Sequence, residues 1–467
     1  EDMVDFELSK EQEMVRKEVR RFAQKEILPV ALELDESESF SADLTRKMGD
    51  IGLFGTIVSE TYGGQGMDYL SYIIAVEEVA RIDGSQAATV AAGNSLGIGP
   101  IYYFGTEAQK QKYLPKLCRG EGLWGFGLTE PTAGSDAGGS KTTAVKDGND
   151  WVINGSKIFI TNAACELSLG VTVQAVTGRR ESGRPEYTCF LVEHGTPGFK
   201  AVEMHRKMMW RASNTAELYF DDVRVPAENV LGNVGDGFHQ MLQTLDGGRL
   251  SIAAMGLGGA QGAYEMALKY AKSREQFGQP VSKFQAVAFK LADCAMEIEC
   301  GRNLLYKACW LRDHKRPFEK EAAMAKFQAI HRVAEEMCPE KVGIAYRADD
   351  VELILAEGKR VYGLGIENGY ALGHDLSLVE EYYDLGTRYI TLTHSGHNDI
   401  GDSSTPRGGP AEEFGGLSEF GEEVVREMNR LGIMIDLSHV SDQTALDVFG
   451  LSQAPVIASH SGAQALS

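Results

Sequence analysis

The chain has 467 residues, enough for two or three domains, and 43% of them are hydrophobic, as in folded proteins. Its 46 basic and 67 acidic residues give a net charge of −21, which argues against a nucleic-acid or anionic-membrane partner but does not exclude an anionic substrate. No apolar run reaches transmembrane length and no N-terminal signal pattern is found, so we expect a cytoplasmic protein with no membrane partner.

Residues 1–120 are predicted to form an N-terminal helical domain. Ser9 and Gln12 have the spacing of a capping box, and apolar residues follow at helical intervals. Further helical segments surround Leu70–Ile82 and Glu107–Leu117.

Residues 121–230 are predicted to form a middle β domain, because the hydrophobic period changes there. The segment DWVINGSKIFITN alternates apolar and polar residues about Asn154-Gly155, which predicts a hairpin turn at that dipeptide. LGVTVQAVTG, YTCFLVEHGTPGF and NTAELYFDDVRVP predict further strands.

Residues 231–328 are predicted to form a second helical domain, with long helices over Leu242–Lys272 and Lys283–Leu311. The Ala/Gly-rich stretch Ala253–Ala263 loosely resembles a dinucleotide-binding loop. Its glycine spacing is wrong for that motif and no strand precedes it, so it predicts a closely packed helix.

Residues 330–467 are predicted to form a partial β/α barrel, because short β-branched runs alternate with helical stretches such as Glu412–Arg430. Five strands are countable, in KVGIAY, RVYGLGIENG, YITLTHSGH, LGIMIDLSH and PVIASHS, whereas a closed barrel of this type needs eight. The predicted fold is therefore multidomain: an α-helical domain, a β-barrel-like domain and an incomplete helical bundle, followed by a partial TIM-type barrel.

Four ordered motifs between residues 5 and 328 carry a family resemblance: FGLTEPTAGSD, WVINGSKIFITNA, KMMWRASNTAELYFDDVRVPAENVLG and SREQFGQPVSKFQAV. Together they closely resemble the FAD-dependent acyl-CoA dehydrogenases of fatty acid metabolism. The resemblance implies α,β-dehydrogenation of an acyl-CoA thioester, an electron-transfer flavoprotein as acceptor, and a homo-oligomer if the helical bundle assembles.

The same resemblance implies the roles of individual residues. One wall of the flavin site would come from Phe126, Leu128, Thr129 and Ser135, with Ser135 also on the substrate side. The second wall would be Phe159, Ile160 and Thr161. Arg274 and Gln285 would reach the FAD of a neighbouring subunit, and Asp246 and Arg249 would contact the CoA moiety.

The catalytic base is the feature that the resemblance does not supply. In most of the family it is a Glu in a Y-E-G-T type segment near the C-terminus, and neither that segment nor the preceding Q-x-x-G-G motif follows residue 328. A minority places the Glu in L-D-x-E-R, where this chain has LDGGR and Gly248 at the position of the Glu. Since glycine cannot abstract a proton, we expect little or no dehydrogenase turnover.

In the tail, apolar runs end in residues that can bind metals, and GIENG, TLTHSGHND, IDLSHVS and IASHSGA closely resemble the zinc-dependent dipeptidases of the renal or membrane type. The resemblance implies Glu367, His439 and His460 as zinc ligands and His394 as a substrate contact. The H-x-D motif of the family's second zinc is missing before residue 340, and two further family residues would lie beyond residue 467, so we expect one zinc ion at most.

Three hypotheses for the whole chain stay open. The first is an impaired acyl-CoA dehydrogenase, the second a zinc dipeptidase with a fused leader, and the third a chimeric reading frame without selected activity. The join at AMAKFQA–IHRVAEE cuts both families within a domain and has no Gly/Ser/Pro-rich linker, which favours the third.

Overall fold

The computed structural model describes residues 7–134, 137–180, 185–318, 320–322, 324–325, 342–344, 350, 360–362, 364–394, 396–404 and 412–457. The chain divides into two compact units, Glu1–Lys326 and Phe327–Ser467.

The first unit begins with helices, and polar side chains cap the N-termini of several of them. The capping box predicted at Ser9 and Gln12 is confirmed, and Asp68 and Thr106 cap two later helices. The helices are α1 (Lys10–Phe22), α2 (Leu28–Glu36), α3 (Ala42–Asp50), α4 (Tyr69–Ala80), α5 (Gly84–Ala92), α6 (Gly99–Phe104) and α7 (Glu107–Cys118). All of α4 is buried, and it packs against α1 and α5 at the centre of this layer. A π-helical segment, Gly93–Ile98, joins α5 to α6.

An eight-stranded mixed sheet follows, in the strand order β6-β7-β3-β2-β4-β5-β8, with β1 pairing parallel to β4. Its strands are β1 (Leu123–Gly127), β2 (Thr143–Asp147), β3 (Asp150–Thr161), β4 (Ser168–Arg179), β5 (Pro185–Glu193), β6 (Phe199–Glu203), β7 (Thr215–Pro226) and β8 (Val230–Leu231). The apolar inward faces of these strands form a core of their own.

The hairpin turn predicted at Asn154-Gly155 is wrong, because β3 runs straight through that dipeptide. The turn lies between β2 and β3 instead, where Gly148 takes a φ of +63°. At Gly155, φ is +145° and the pairing with β7 shifts register, so the glycine makes a bulge within the strand.

Two long helices complete the first unit: α8 (Gly237–Ser273), of 37 residues, and α9 (Gln285–Asp313), of 29 residues. Between them lie the short strands β9 (Glu275–Gln276) and β10 (Gln279–Pro280). The packing role predicted for the Ala/Gly-rich stretch is confirmed, because a Cβ at Gly258 or Gly262 would overlap backbone carbonyls of α4 and its C-terminal cap.

The second unit contains parallel strands with helices between them. Strands β11 (Val342–Ile344) and β12 (Arg360–Tyr362) pair with each other, and β13 (Leu364–Glu367), β14 (Thr387–Thr391) and β15 (Met434–Asp436) form a three-stranded sheet. The helices are α10 (Ser377–Asp384), α11 (Glu419–Leu431) and α12 (Asp442–Leu451). Strand and helix alternation with parallel pairing agrees with the prediction, while the barrel itself remains a prediction.

Among the described residues of the chain, no helix has the length and hydropathy needed to cross a membrane.

Candidate functional site

The first predicted flavin wall continues directly from β1. Phe126 and Leu128 are each 7% exposed, and Thr129 is partly exposed. A tight turn follows, in which the backbones of Glu130 and Ala133 exchange hydrogen bonds. Ser135, the remaining residue of this wall, lies outside the described residues.

The second predicted wall is the end of β3, where the strand bulges. The pairing of β3 with β7 shifts register between Lys157 and Ile160. Phe159, within this bulge, has a φ of +63° and is 61% exposed, whereas Ile160 is 3% exposed. A bulky residue with positive φ is uncommon, and such residues occur at sites where the surrounding structure holds them. The bulge thus leaves an aromatic ring uncovered at the surface of the site.

A backbone hydrogen bond joins the two walls. The amide of Ile158 donates to the carbonyl oxygen of Thr129, with an N···O distance of 2.9 Å. The structure therefore brings the segment of Phe126, Leu128 and Thr129 next to the end of β3, and their role as flavin walls remains a prediction.

A buried ion pair lies behind the junction of the walls, and the sequence interpretation missed it. The side chain of Lys157 is fully buried and that of Glu130 is 4% exposed, with 2.8 Å between Lys157 Nζ and Glu130 Oε1. Burial opposes the ionised form of Glu130, but the nearby Lys157 ammonium and the hydroxyl and amide donors outweigh it and lower the pKa of Glu130 to about 2. Burial also lowers the pKa of Lys157, and Glu130 opposes that shift.

The residues expected near CoA and at the alternative base position lie in the middle of α8. Arg249 is exposed, and the side chain of Asp246 is outside the described residues. A Cβ at Gly248 would have one neighbour within 4 Å, Cδ2 of Leu96 at 3.8 Å, on the π-helical segment. The position predicted to lack its base therefore has room for a side chain.

The neighbouring glycine, Gly247, is packed closely. A Cβ there would lie 3.0 Å from Nη1 of Arg312 and 3.4 Å from the hydroxyl of Tyr69, which donates to the Gly247 carbonyl at 2.7 Å. The guanidinium of Arg312 stacks over the Tyr69 ring, 3.9 Å from its centroid. No sequence pattern indicated this cluster, because its members are far apart along the chain.

Arg274 and Gln285 lie at the exposed connection between α8 and α9. Arg274 follows the last residue of α8, Gln285 begins α9, and both are exposed. Phe277, between them, is 94% exposed. The two residues predicted to reach a neighbouring subunit are therefore on a surface that a second chain could contact.

In the second unit, two predicted site residues meet at the carboxyl ends of neighbouring strands. His394 follows β14 and His439 follows β15, and their ring centroids are 4.2 Å apart. The backbone of Glu367 ends the adjacent strand β13, but its side chain and His460 are outside the described residues. Within the described part of the chain, no group of three or more His, Cys, Asp or Glu side chains could hold a metal ion.

A buried carboxylate, Asp402, lies close to these histidines in sequence and was also missed. It accepts hydrogen bonds from the backbone amides of Glu413, Phe414 and Gly416, and lies 3.0 Å from Nδ1 of His397. Burial opposes its ionisation, but the three amides outweigh this and lower the pKa of Asp402. It organises the loop that follows β14.

Comparison with family sequence models matches successive parts of the chain to two families. Residues 9–121, 125–223 and 235–342 match the N-terminal, middle and C-terminal domains of acyl-CoA dehydrogenase. Residues 296–467 match the membrane dipeptidases of peptidase family M19, so the two matches overlap over 296–342.

Individual proteins and solved structures are similar over the first part of the chain. The probable acyl-CoA dehydrogenase YngJ of Bacillus subtilis is 51% identical over 341 residues, which cover 73% of this chain and 89% of that protein. Butyryl-CoA dehydrogenase from Megasphaera elsdenii superposes with a TM-score of 0.68 at 42% identity, over 72% of this chain and 89% of that one. A glutaryl-CoA dehydrogenase from Mycobacterium smegmatis, in complex with FADH2, superposes with a TM-score of 0.66 at 33% identity, over 70% and 82% of the chains.

Proposed function

Because the chain belongs to the acyl-CoA dehydrogenase family and carries a C-terminal segment of peptidase family M19, we propose that its first unit is a flavoprotein that binds FAD and a short-chain acyl-CoA. The observation that carries the proposal is the junction of the two walls by the bond from Ile158 to Thr129, with the uncovered ring of Phe159 beside it. An exposed aromatic ring held at a strained backbone position suits contact with a flat ring system.

The residues present fit FAD. Thr129 and Thr161, which are partly exposed residues, carry hydroxyls on the two walls, and Arg274 can pair a pyrophosphate with its planar guanidinium. When bound, FAD supplies the acceptor for the substrate hydride. In this proposal the ring of Phe159 and the backbone of Thr129 orient the flavin.

The name of the similar butyryl-CoA dehydrogenase supports a short acyl chain as substrate. Family membership supports an electron-transfer flavoprotein as the acceptor. We expect turnover to be impaired, because a carboxylate base is needed at the α-carbon and Gly248 cannot serve. The test is a steady-state assay of the purified full chain with butyryl-CoA and an electron-accepting dye. Robust turnover would show that a base is present elsewhere.

We propose that a second copy of the chain binds over the exposed apolar residues of α8, α9 and their connection. These residues are Met266, Tyr270, Phe277 and Phe289, each more than 60% exposed. Several large exposed apolar side chains on neighbouring elements are typical of interaction surfaces. Light scattering of the full chain tests this, and a monomer at micromolar concentration would contradict it.

Zinc dipeptidase activity is the second candidate function, favoured by the pair His394 and His439 at adjacent parallel strand ends. One zinc ion held by Glu367, His439 and His460 would polarise a peptide carbonyl. Metal analysis after dialysis, with hydrolysis of a dipeptide, tests this candidate. A preparation without zinc that leaves the dipeptide intact excludes it.

The third hypothesis, a chimeric reading frame without selected activity, is tested at the DNA. A continuous genomic read across codons 325–335 would support a true fusion. Two separate genes would rule out the fusion, and the two family matches would then belong to two different proteins.

A further inference from the structure

The ammonium group of Lys157 has no exposed surface, and all three of its hydrogen-bond donors find acceptors. Nζ donates to the Leu128 carbonyl oxygen at 3.1 Å, to Glu130 Oε1 at 2.8 Å and to Ser140 Oγ at 3.0 Å. Its aliphatic stem passes beside Gly127, where a Cβ would lie 3.5 Å from Lys157 Cγ. This arrangement is built around a charge that is costly to bury.

Glu130 ties the same ammonium to a second segment of backbone. Its carboxylate accepts from the Lys141 amide at 2.7 Å, from the Thr142 amide at 3.0 Å and from the Ser140 hydroxyl. The pair therefore clamps the first wall to the residues that lead into β2. The low pKa of Glu130 keeps its negative charge at neutral pH.

The clamp determines the direction of one peptide group in the predicted flavin wall. In a planar trans peptide, the carbonyl of one residue and the N–H of the next point in opposite directions. Because Lys157 holds the Leu128 carbonyl, the Thr129 N–H points away from Lys157. Among the described residues, this N–H has no hydrogen-bond acceptor. The carbonyl of Thr129 is in turn held by Ile158, so the wall residue is fixed on both sides.

We propose that Lys157 and Glu130 are positioning residues, which hold the Leu128–Thr129 peptide so that the Thr129 N–H is presented to the flavin. This inference rests on the proposed function, that the two walls bind FAD. The buried pair would then affect both the affinity of the protein for FAD and the absorption spectrum of the bound flavin, in addition to its effect on folding.

The test compares Lys157→Met with the wild-type full chain and with a control, Arg302→Met. Arg302 is also part of a mostly buried ion pair, with 2.9 Å between its Nε and Glu77 Oε1, but it joins α9 to α4 and touches neither flavin wall. For each protein, the FAD dissociation constant, the visible absorption spectrum and the reduction potential of the flavin are measured below the melting temperature.

We expect Lys157→Met to weaken FAD binding about tenfold, the effect of losing the one hydrogen bond from the Thr129 N–H to the flavin, and to shift the absorption bands and the potential. Arg302→Met should lower the melting temperature and leave the flavin spectrum as in the wild type. A folded Lys157→Met protein with wild-type affinity, spectrum and potential would overturn the inference.

Two further variants cover the case in which Lys157→Met does not fold. Lys157→Met with Glu130→Gln removes both charges, so that no unpaired charge stays buried. Ser140→Ala removes a hydroxyl that contacts both partners and leaves the charges in place. Each should shift the spectrum in the same direction as Lys157→Met, and unchanged spectra in both would overturn the inference. A wild-type chain that binds no FAD would overturn the proposed function itself, together with the inference that depends on it.

Discussion

If the first unit binds FAD as proposed, Gly248→Glu should give the chain measurable dehydrogenase activity. The substitution places a carboxylate where a minority of the family carries its base, on the face of α8 that looks toward Leu96. Because a Cβ at this position would lie 3.8 Å from Cδ2 of Leu96, the new side chain begins in ordinary van der Waals contact. Replacing an interior helical glycine also improves helix propensity by about 0.5–1 kcal/mol.

The size of the gain follows from what a general base contributes. Proton transfer by a positioned side chain accelerates reactions about 10²–10⁴-fold, which corresponds to roughly 3–5 kcal/mol of the barrier. The assay is steady-state turnover of butyryl-CoA with a dye acceptor, normalised to bound flavin. We expect Gly248→Glu to exceed the wild type by about 10²-fold or more.

Two controls isolate the carboxylate and its position. Gly248→Gln has the same shape without a base and should remain at the wild-type level. Gly247→Glu adds the same group one residue earlier, where its Cβ would crowd Arg312 at 3.0 Å and the guanidinium would capture the carboxylate. A Gly248→Glu protein that binds flavin and acyl-CoA but turns over no faster than Gly248→Gln would refute this reasoning.

Three other predictions concern stability and metal binding. The pKa of Glu130 is lowered from 4.5 to about 2 in the folded chain, so its ionised form stabilises the fold above pH 4.5, and this stabilisation is lost as the pH falls through 2. Acid unfolding should therefore become less steep in Glu130→Gln, and an identical pH profile would contradict this. Gly258→Ala should lower the melting temperature, because the new Cβ would overlap the Glu77 carbonyl. Overpacking of this kind costs about 1–3 kcal/mol of stability. An unchanged melting temperature would contradict this prediction. His439→Ala should reduce the amount of zinc that the protein retains after dialysis. The control His374→Ala, whose side chain is 71% exposed, should retain as much zinc as the wild type. Equal zinc contents in the two variants would argue against a zinc site at His439.

Local sequence signals predicted those parts of the fold that depend on nearby residues. The capping box at Ser9 and the helix over Leu70–Ile82, observed as α4, follow from patterns within one or two turns. The Asn154-Gly155 signal failed because β3 pairs with β2 on one side and β7 on the other. Those partners hold the strand extended, so the glycine is used for a bulge instead of a turn.

The buried pair shows why the site was only partly predictable. A single lysine in an alternating strand carries no sign of burial, and Lys157 becomes buried only because Glu130, from an earlier segment, meets it inside the domain. The flavin motifs could be identified because their residues are contiguous, and Arg312 could not because its partner Tyr69 lies in a different helix. Contacts between distant segments therefore account for what the sequence did not reveal.

The missing base is tested most directly by an anaerobic titration of the purified full chain with butyryl-CoA, followed by visible absorption. We predict a flavin band from bound FAD that persists when butyryl-CoA is added, because Gly248, which faces Leu96 from α8, cannot remove the α-proton. A preparation without a flavin band would contradict the proposed cofactor. Prompt bleaching of the band would contradict the missing base.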